Sequence, residues 1–264
     1  MNMATVAFIG TGSMGGALAR AAAKSPACGK LLLANRSPEK ALRLAEELGA
    51  EVCDNRRAAA EAEVLFLGVK PQGLAQMAAG IADVLEARAE SCVLVSMAAG
   101  WTLEQLGGLF GKRPIVRILP NIPVAVGGGV TLLCASPEVT AGEKALVCEL
   151  LAPSGMVSEL SEPLIEAASG VTGCGPAFAA MFVEALADGA VTCGLPRKEA
   201  VRYAAQMLKG TAELLLQSGE HPGALKDRVC SPAGSTIEGV RTLERRGFRS
   251  AVTDAVVATW EKEF

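Results

Sequence analysis

What this sequence lacks narrows its chemistry first. It has one histidine, His221, in 264 residues. That excludes a multi-histidine metal site, so no metal is expected, and any histidine-based triad would have to run through this one residue. The eight cysteines (Cys28, Cys53, Cys92, Cys134, Cys148, Cys174, Cys193 and Cys230) include no C-x-x-C pair, against zinc ribbons and thioredoxin-like motifs. A chain this long needs no disulfide framework, so they read as reduced thiols of a cytoplasmic protein. Neither sign of charge dominates: the formal net charge is −3, with no reason to expect a nucleic-acid partner. No uninterrupted apolar run approaches the roughly 18–20 residues that span a bilayer, so no membrane partner is expected. The N-terminus shows no charged region ahead of an apolar stretch, so no signal peptide is read. The 29 glycines follow no strict period, which excludes a collagen-like chain.

What is present forms a core. Hydrophobic residues make up 50% of the chain, and its length suits one large domain or two small ones, at roughly 100–200 residues each. The first half alternates short apolar runs with helical patterns. Thr5–Ile9, Leu31–Ala34, Val64–Val69, Cys92–Met97, Val116–Leu119, Val130–Cys134 and Met156–Glu159 read as strands. A helix is expected over Met14–Lys24, and Ser37-Pro38 opens another to about Leu48. Thr102/Gln105 and Thr140/Glu143 have capping-box spacing. Strands alternating with helices mean a parallel sheet of βαβ units. After about Glu162 the strand-like runs stop. Val201, Ala204, Ala205, Leu208, Ala212 and Leu215 form one helical stripe, and Val252, Val256, Thr259 and Trp260 another. The fold expected is α/β: a Rossmann-like, doubly wound, mostly parallel sheet over residues 1–161, then an all-helical domain over 162–264.

Gly10-Thr11-Gly12-Ser13-Met14-Gly15 is G-x-G-x-x-G between a strand and a helix, the context a dinucleotide site requires. Glycines allow a tight turn and close approach to a pyrophosphate, and the helix N-terminus supplies free N–H groups. The plain alternative is a glycine-rich turn without a ligand. The second strand ends in Asn35-Arg36-Ser37, where an NAD site usually has Asp or Glu. A guanidinium suits a 2′-phosphate, so NADPH is preferred. NADH use stays open, because a repelling carboxylate is merely absent. Val69-Lys70-Pro71-Gln72 and Ser96-Met97-Ala98-Ala99-Gly100 follow later strands, at the edge where such sheets bind ligands.

In the second half, Gly173-Cys174-Gly175-Pro176 precedes an apolar helix, with Pro176 expected at its first position. Cys230-Ser231-Pro232-Ala233-Gly234-Ser235-Thr236 leads into another helix starting at Ser235 or Thr236, and Ser235/Glu238 has capping-box spacing. The turn would aim backbone N–H groups outward as an anion nest beside the hydroxyls of Ser231 and Thr236, suited to a small carboxylate. A capped helix connection is the competing reading; it explains Ser235 fully and Ser231 poorly.

These segments together resemble pyrroline-5-carboxylate reductase. The likeness runs from Val6 to about Val257 through Phe8–Met14, Asn35–Ser37, Val69–Gln72, Ser96–Gly100, Val116–Pro123, Val171–Phe178 and Val229–Thr236. The resemblance implies NAD(P)H-dependent reduction of 1-pyrroline-5-carboxylate to L-proline, the last step of proline biosynthesis. It also implies a helical domain that dimerises, in many members on the way to a decamer of five dimers. Its cofactor residues map onto Gly12, Ser13, Met14, Asn35, Arg36, Ser37, Asn55, Val69, Lys70, Pro71, Ala98, Ala99 and Asn121, to which the glycine motif adds Gly10 and Gly15. Its substrate loop maps onto Ser231, Ala233, Gly234, Ser235 and Thr236, with Thr236 as the catalytic partner of the ring nitrogen. The chain departs from the family pattern at Cys174 and Cys230, where hydroxyl residues are usual, and at Ala233, where glycine is usual.

Two rivals remain. A β-hydroxyacid dehydrogenase shares the glycine loop but carries a catalytic lysine on the helix after a second glycine motif; Gly175–Asp188 has no lysine. A non-catalytic NADP-binding relative would not need Ser231 and Thr236. His221 precedes Pro222 and is given a structural role.

Overall fold

A computed structural model describes residues 3–263; residues 1, 2 and 264, at the ends of the two expected domains, lie outside the described residues. β1 (Ala4–Ile9), α1 (Ser13–Ala22), β2 (Cys28–Ala34), α2 (Pro38–Leu48), β3 (Glu51–Val52), α3 (Asn55–Glu61) and β4 (Val64–Leu67) alternate first. The short helices α4 (Leu74–Ala79) and α5 (Ala82–Glu86) follow, then β5 (Val93–Ser96), α6 (Leu103–Phe110) and β6 (Ile115–Pro120). β7 (Gly129–Ala135), α7 (Ala141–Leu151), β8 (Gly155–Glu159) and α8 (Glu162–Thr172) complete the first unit.

The eight strands form one sheet in the order β3-β2-β1-β4-β5-β6-β7-β8. All neighbours are parallel except β6 and β7. β4 and β5 are buried along their whole length because helices cover both faces. On one face Phe8 and Phe66 stack at 4.4 Å between rings, under Leu18, Leu44 and Val147. On the other, Leu65, Leu67 and Leu94 meet Leu74, Ile81 and Leu106. A third, smaller cluster of Leu132, Cys134 and Ile165 seats α8. Both expected capping boxes form, at Thr102/Gln105 and Thr140/Glu143. Ser37 is an N-cap with Pro38 at the first turn, although its hydroxyl makes no capping bond.

By packing, the chain divides between Gly173 and Cys174. The second unit is helical: α9 (Gly175–Thr192), α10 (Arg197–Ser218), α11 (Pro222–Val229), α12 (Ser235–Arg245) and α13 (Phe248–Glu263). α9 begins at Gly175, one residue before the expected Pro176. Among its described residues the only buried hydrophobics are Ala187, Ala200, Ala204 and Leu225. Ninety-odd residues with so small an interior cannot offset their ordering entropy unaided. The stripe on α10 is accordingly half bare: Ala204 is buried, whereas Val201, Ala205 and Ala212 line an open groove with Ala179, Met181 and Val183 on α9. The stretch Glu162–Thr192, which holds α8 and α9, is long and apolar enough to cross a membrane by length and composition alone, with 11% of its most apolar window buried; Ser169, Thr172 and Pro176 fall within it. Glu184 and Asp188 interrupt that run one turn apart.

Candidate active site

β1, β2, β4, β5 and β6 point the same way, so the segments after them share one edge of the sheet. The strand order reverses around β1, which places a crevice beside the loop Gly10–Gly15. Gly10 has φ +100, and a Cβ there would collide with the carbonyl of Gly68 after β4. A Cβ on Gly15 would strike the Gly10 carbonyl. Gly12 faces open space and is the N-cap of α1 with no side-chain capping bond. The first turn of α1 therefore presents backbone N–H groups to whatever fills that space. Thr11 adds a buried hydroxyl with no partner in the chain. These features fit a dinucleotide pyrophosphate.

Asn35 fastens the loop beside it. Its Oδ1 accepts from Thr11 N at 3.0 Å, and its Nδ2 donates to the Ser37 carbonyl at 2.9 Å. Arg36 and Ser37 are exposed next to that brace, as a 2′-phosphate site requires. Lys70 and Ala99 are exposed, while Val69 packs on the lower core and Ala98 is buried. Asn55 is the first residue of α3, behind Asp54, whose Oδ1 accepts from Arg57 N at 2.7 Å. Asn121 is buried, and its amide is engaged within the chain.

The second unit carries the other group of expected residues. Pro232 and Ala233 occupy a turn closed by Gly234 N donating to Ser231 O at 3.0 Å. Proline second and a positive φ third is the signature of a type II turn, and Ala233 has φ +57, the one positive φ outside glycine among the described residues. A Cβ on Gly234 would collide with Ser231 Oγ and lie 3.1 Å from the Ser231 carbonyl oxygen, so a side chain there would force the Ser231 hydroxyl to swing away. α12 starts at Ser235, but the expected capping box does not form. Gly234 is the N-cap, Ser235 lies one residue inside the helix, and Glu238 pairs with Arg241 at 2.8 Å. The cap thus brings no side-chain oxygen to the first-turn N–H groups, and Ser231, Ser235 and Thr236 are exposed around them. His221 is the N-cap of α11, its Nδ1 accepting from Gly223 N at 3.0 Å. Among the described residues no cluster of three His, Cys, Asp or Glu could hold a metal ion.

Residues missed in the sequence are Thr11, Gly68 and Arg117. Gly68 falls inside the strand expected over Val64–Val69, but the strand ends at Leu67 and leaves Gly68 in the following loop. Arg117 sits within an otherwise apolar strand, 2% exposed, and pairs with Glu162 and Glu166.

A glycine cradle at the switch point of a Rossmann sheet, with a separate helical unit, defines a nicotinamide-dependent oxidoreductase. Two family models agree: NADP oxidoreductase coenzyme F420-dependent matches residues 5–100, and pyrroline-5-carboxylate reductase dimerisation matches residues 162–263. The chain belongs to the pyrroline-5-carboxylate reductase family. It is 39% identical to the Escherichia coli (strain K12) pyrroline-5-carboxylate reductase over 261 residues, covering 97% of this chain and 96% of the relative. Identity to the Synechocystis enzyme of that name is 42% over 209 residues, covering 79% and 77%. The solved Coxiella burnetii pyrroline-5-carboxylate reductase superposes with a TM-score of 0.92 at 28% identity, covering 99% of this chain and 98% of that one. The Plasmodium falciparum pyrroline carboxylate reductase, solved with NADP bound, gives 0.85 at 28% identity, covering 100% and 98%.

Proposed function

We propose that this chain catalyses the NAD(P)H-dependent reduction of 1-pyrroline-5-carboxylate to L-proline, with NADPH preferred. The observation that carries the substrate side is the turn Ser231–Gly234 running into a helix whose N-cap offers no side-chain oxygen. Backbone N–H groups and a helix N-terminus there suit a small carboxylate. Ser231, Ala233, Gly234, Ser235 and Thr236 form this loop, and Thr236 hydroxyl is assigned to the ring nitrogen.

The bound reduced nicotinamide supplies the hydride for the imine carbon. The chain's own task is to hold, orient and protonate. Gly10, Gly12, Ser13, Met14 and Gly15 take the pyrophosphate; Asn35 braces the loop while Arg36 and Ser37 meet the 2′-phosphate. Asn55, Val69, Lys70, Pro71, Ala98 and Ala99 belong to the cofactor edge; the amide of Asn121, expected there from the sequence, is engaged within the chain, and Asn121 is read as a brace behind that edge and not as a cofactor ligand. Hydride transfer needs the imine carbon within about 3–3.5 Å of its donor. His221 is spent on a helix cap, so the proton at the ring nitrogen is relayed through Thr236 and water.

The half-bare helices of the second unit support a homodimer as the working species, and further assembly into a decamer of five dimers is part of the proposal. So are a cytoplasmic location, in line with eight free cysteines, and a functional boundary at 161/162. NADPH oxidation with pyrroline-5-carboxylate, beside a panel of other cyclic imines and 3-hydroxy acids, tests the reading. Turnover confined to 3-hydroxy acids, or none at all, would overturn it.

A further inference from the structure

The face of β6 that meets α8 carries Arg117 and Leu119 at alternate positions, and Asn121 continues the series just past the strand. Each holds a different level of the helix. Arg117 pairs with Glu162 at 3.2 Å and with Glu166. Leu119 packs into the cluster of Leu132, Cys134 and Ile165. Asn121 Nδ2 donates to the carbonyl of Thr172, the last residue of α8, at 2.8 Å. The helix is held from its first residue to its last.

Asn121 is committed on every side. Its Oδ1 accepts from Val130 N at 2.8 Å, its N–H donates to Val130 O at 3.2 Å, and its carbonyl accepts from Val124 N at 3.2 Å. It is 8% exposed. Buried amides satisfied in this way fix the geometry of what they join. Thr172 lies one residue before the division between the two units, and Gly173, next in the chain, has no side chain to restrict its backbone.

We propose that Asn121 is a positioning residue: it fixes the carbonyl at which the chain leaves the cofactor-binding unit, and so sets where the Gly173–Pro176 turn begins. The kinetic consequence rests on the reductase reading. Hydride transfer tolerates little misplacement, and loosening the end of α8 beside the cofactor edge lowers the fraction of molecules in reactive geometry.

Asn121→Asp tests this, because it is isosteric and severs one bond of the two side-chain bonds. Measured at pH 8, the ionised side chain still accepts from Val130 N but faces the Thr172 carbonyl as a second acceptor; a protonated carboxyl would donate to that carbonyl and restore the tie, so the effect belongs to the ionised form. Hydrogen exchange at the amides of 173–175, 177 and 178 should accelerate about tenfold or more, with Val130 N unchanged. NADPH affinity, by fluorescence titration, should stay within about twofold, while kcat on pyrroline-5-carboxylate falls about tenfold. Asn121→Ser, too short to span both partners, carries the same expectations should the first variant fold poorly. Weakened NADPH binding with unchanged exchange at 173–178 would make Asn121 a cofactor ligand and overturn the proposal. Unchanged exchange with unchanged kcat would overturn it as well. If the unmodified chain fails to reduce pyrroline-5-carboxylate, the reductase reading falls, yet the exchange measurement still decides the role of the tie.

Discussion

Replacing Ala233 by glycine should stabilise the protein. An L-residue in the left-handed region brings its Cβ against the following carbonyl, at a cost of roughly 1–2 kcal/mol. Ala233, at φ +57 in the Ser231–Gly234 turn, carries that cost. Glycine removes it but gives the unfolded chain more freedom, worth about 0.4–1 kcal/mol in the other direction. The net gain is about 0.5–1 kcal/mol. For a chain of this size, that corresponds to about 1–4 °C in Tm. Differential scanning calorimetry at one fixed protein concentration reads the effect, since association also shifts Tm. The turn's closing bond, Gly234 N to Ser231 O, uses no side chain of residue 233, so kcat/KM should change by less than about threefold. Ala233→Val should move the opposite way, because a β-branched residue fits the left-handed region worse. A glycine variant that melts at or below the wild-type temperature would show that the turn is not strained and refute the reasoning.

Thr236→Ala should lower kcat/KM by roughly 10- to 100-fold while leaving NADPH affinity near wild type; unchanged turnover would sink its assignment. Arg36→Ala should raise KM for NADPH about tenfold and barely alter that for NADH, and equal effects on both would remove Arg36 from cofactor choice. The Arg57 and Lys30 partners hold the Glu61 carboxyl down to about 2 from an ordinary 4.5. Its contribution to stability is therefore full above about 4.5 and lost as pH falls toward 2. Glu61→Gln should melt below wild type at neutral pH, and the gap should close across that window; a gap independent of pH would contradict this. Burial pushes the thiols of Cys92 and Cys134 up to about 11, so both should resist a thiol reagent at pH 8 until unfolding. Native labelling at either would show that the sheet opens readily.

The sheet was legible because Val6–Ile9, Val64–Leu67 and Val93–Val95 are unbroken apolar runs followed by glycine or serine. β3 has only Glu51 and Val52, too short for any periodicity, and α3 to α5 are too short to show a stripe. The boxes at Thr102 and Thr140 could be read since both partners lie three residues apart. The same spacing at Ser235 misled, since Gly234 takes the cap and Glu238 turns to Arg241. The glycine cradle was legible in outline, but its second wall, Gly68, comes from a different strand. Least legible were Asn35, Arg117 and Asn121, whose bonds reach 24, 45, 49 and 51 residues along the chain. Local pattern carries no trace of such partners.

The small interior of the second unit, three alanines and one leucine, has a consequence for populations of molecules. With the proposed homodimer as the working species, folding of that half is bimolecular in effect and dilution is itself a denaturant. Activity measured at very low enzyme concentration should decay with time and recover on concentrating. Two variants mixed in one solution should trade subunits at the rate the pairs separate. A chain damaged on its bare helical face would fail to pair and would lose its own second unit with the pairing.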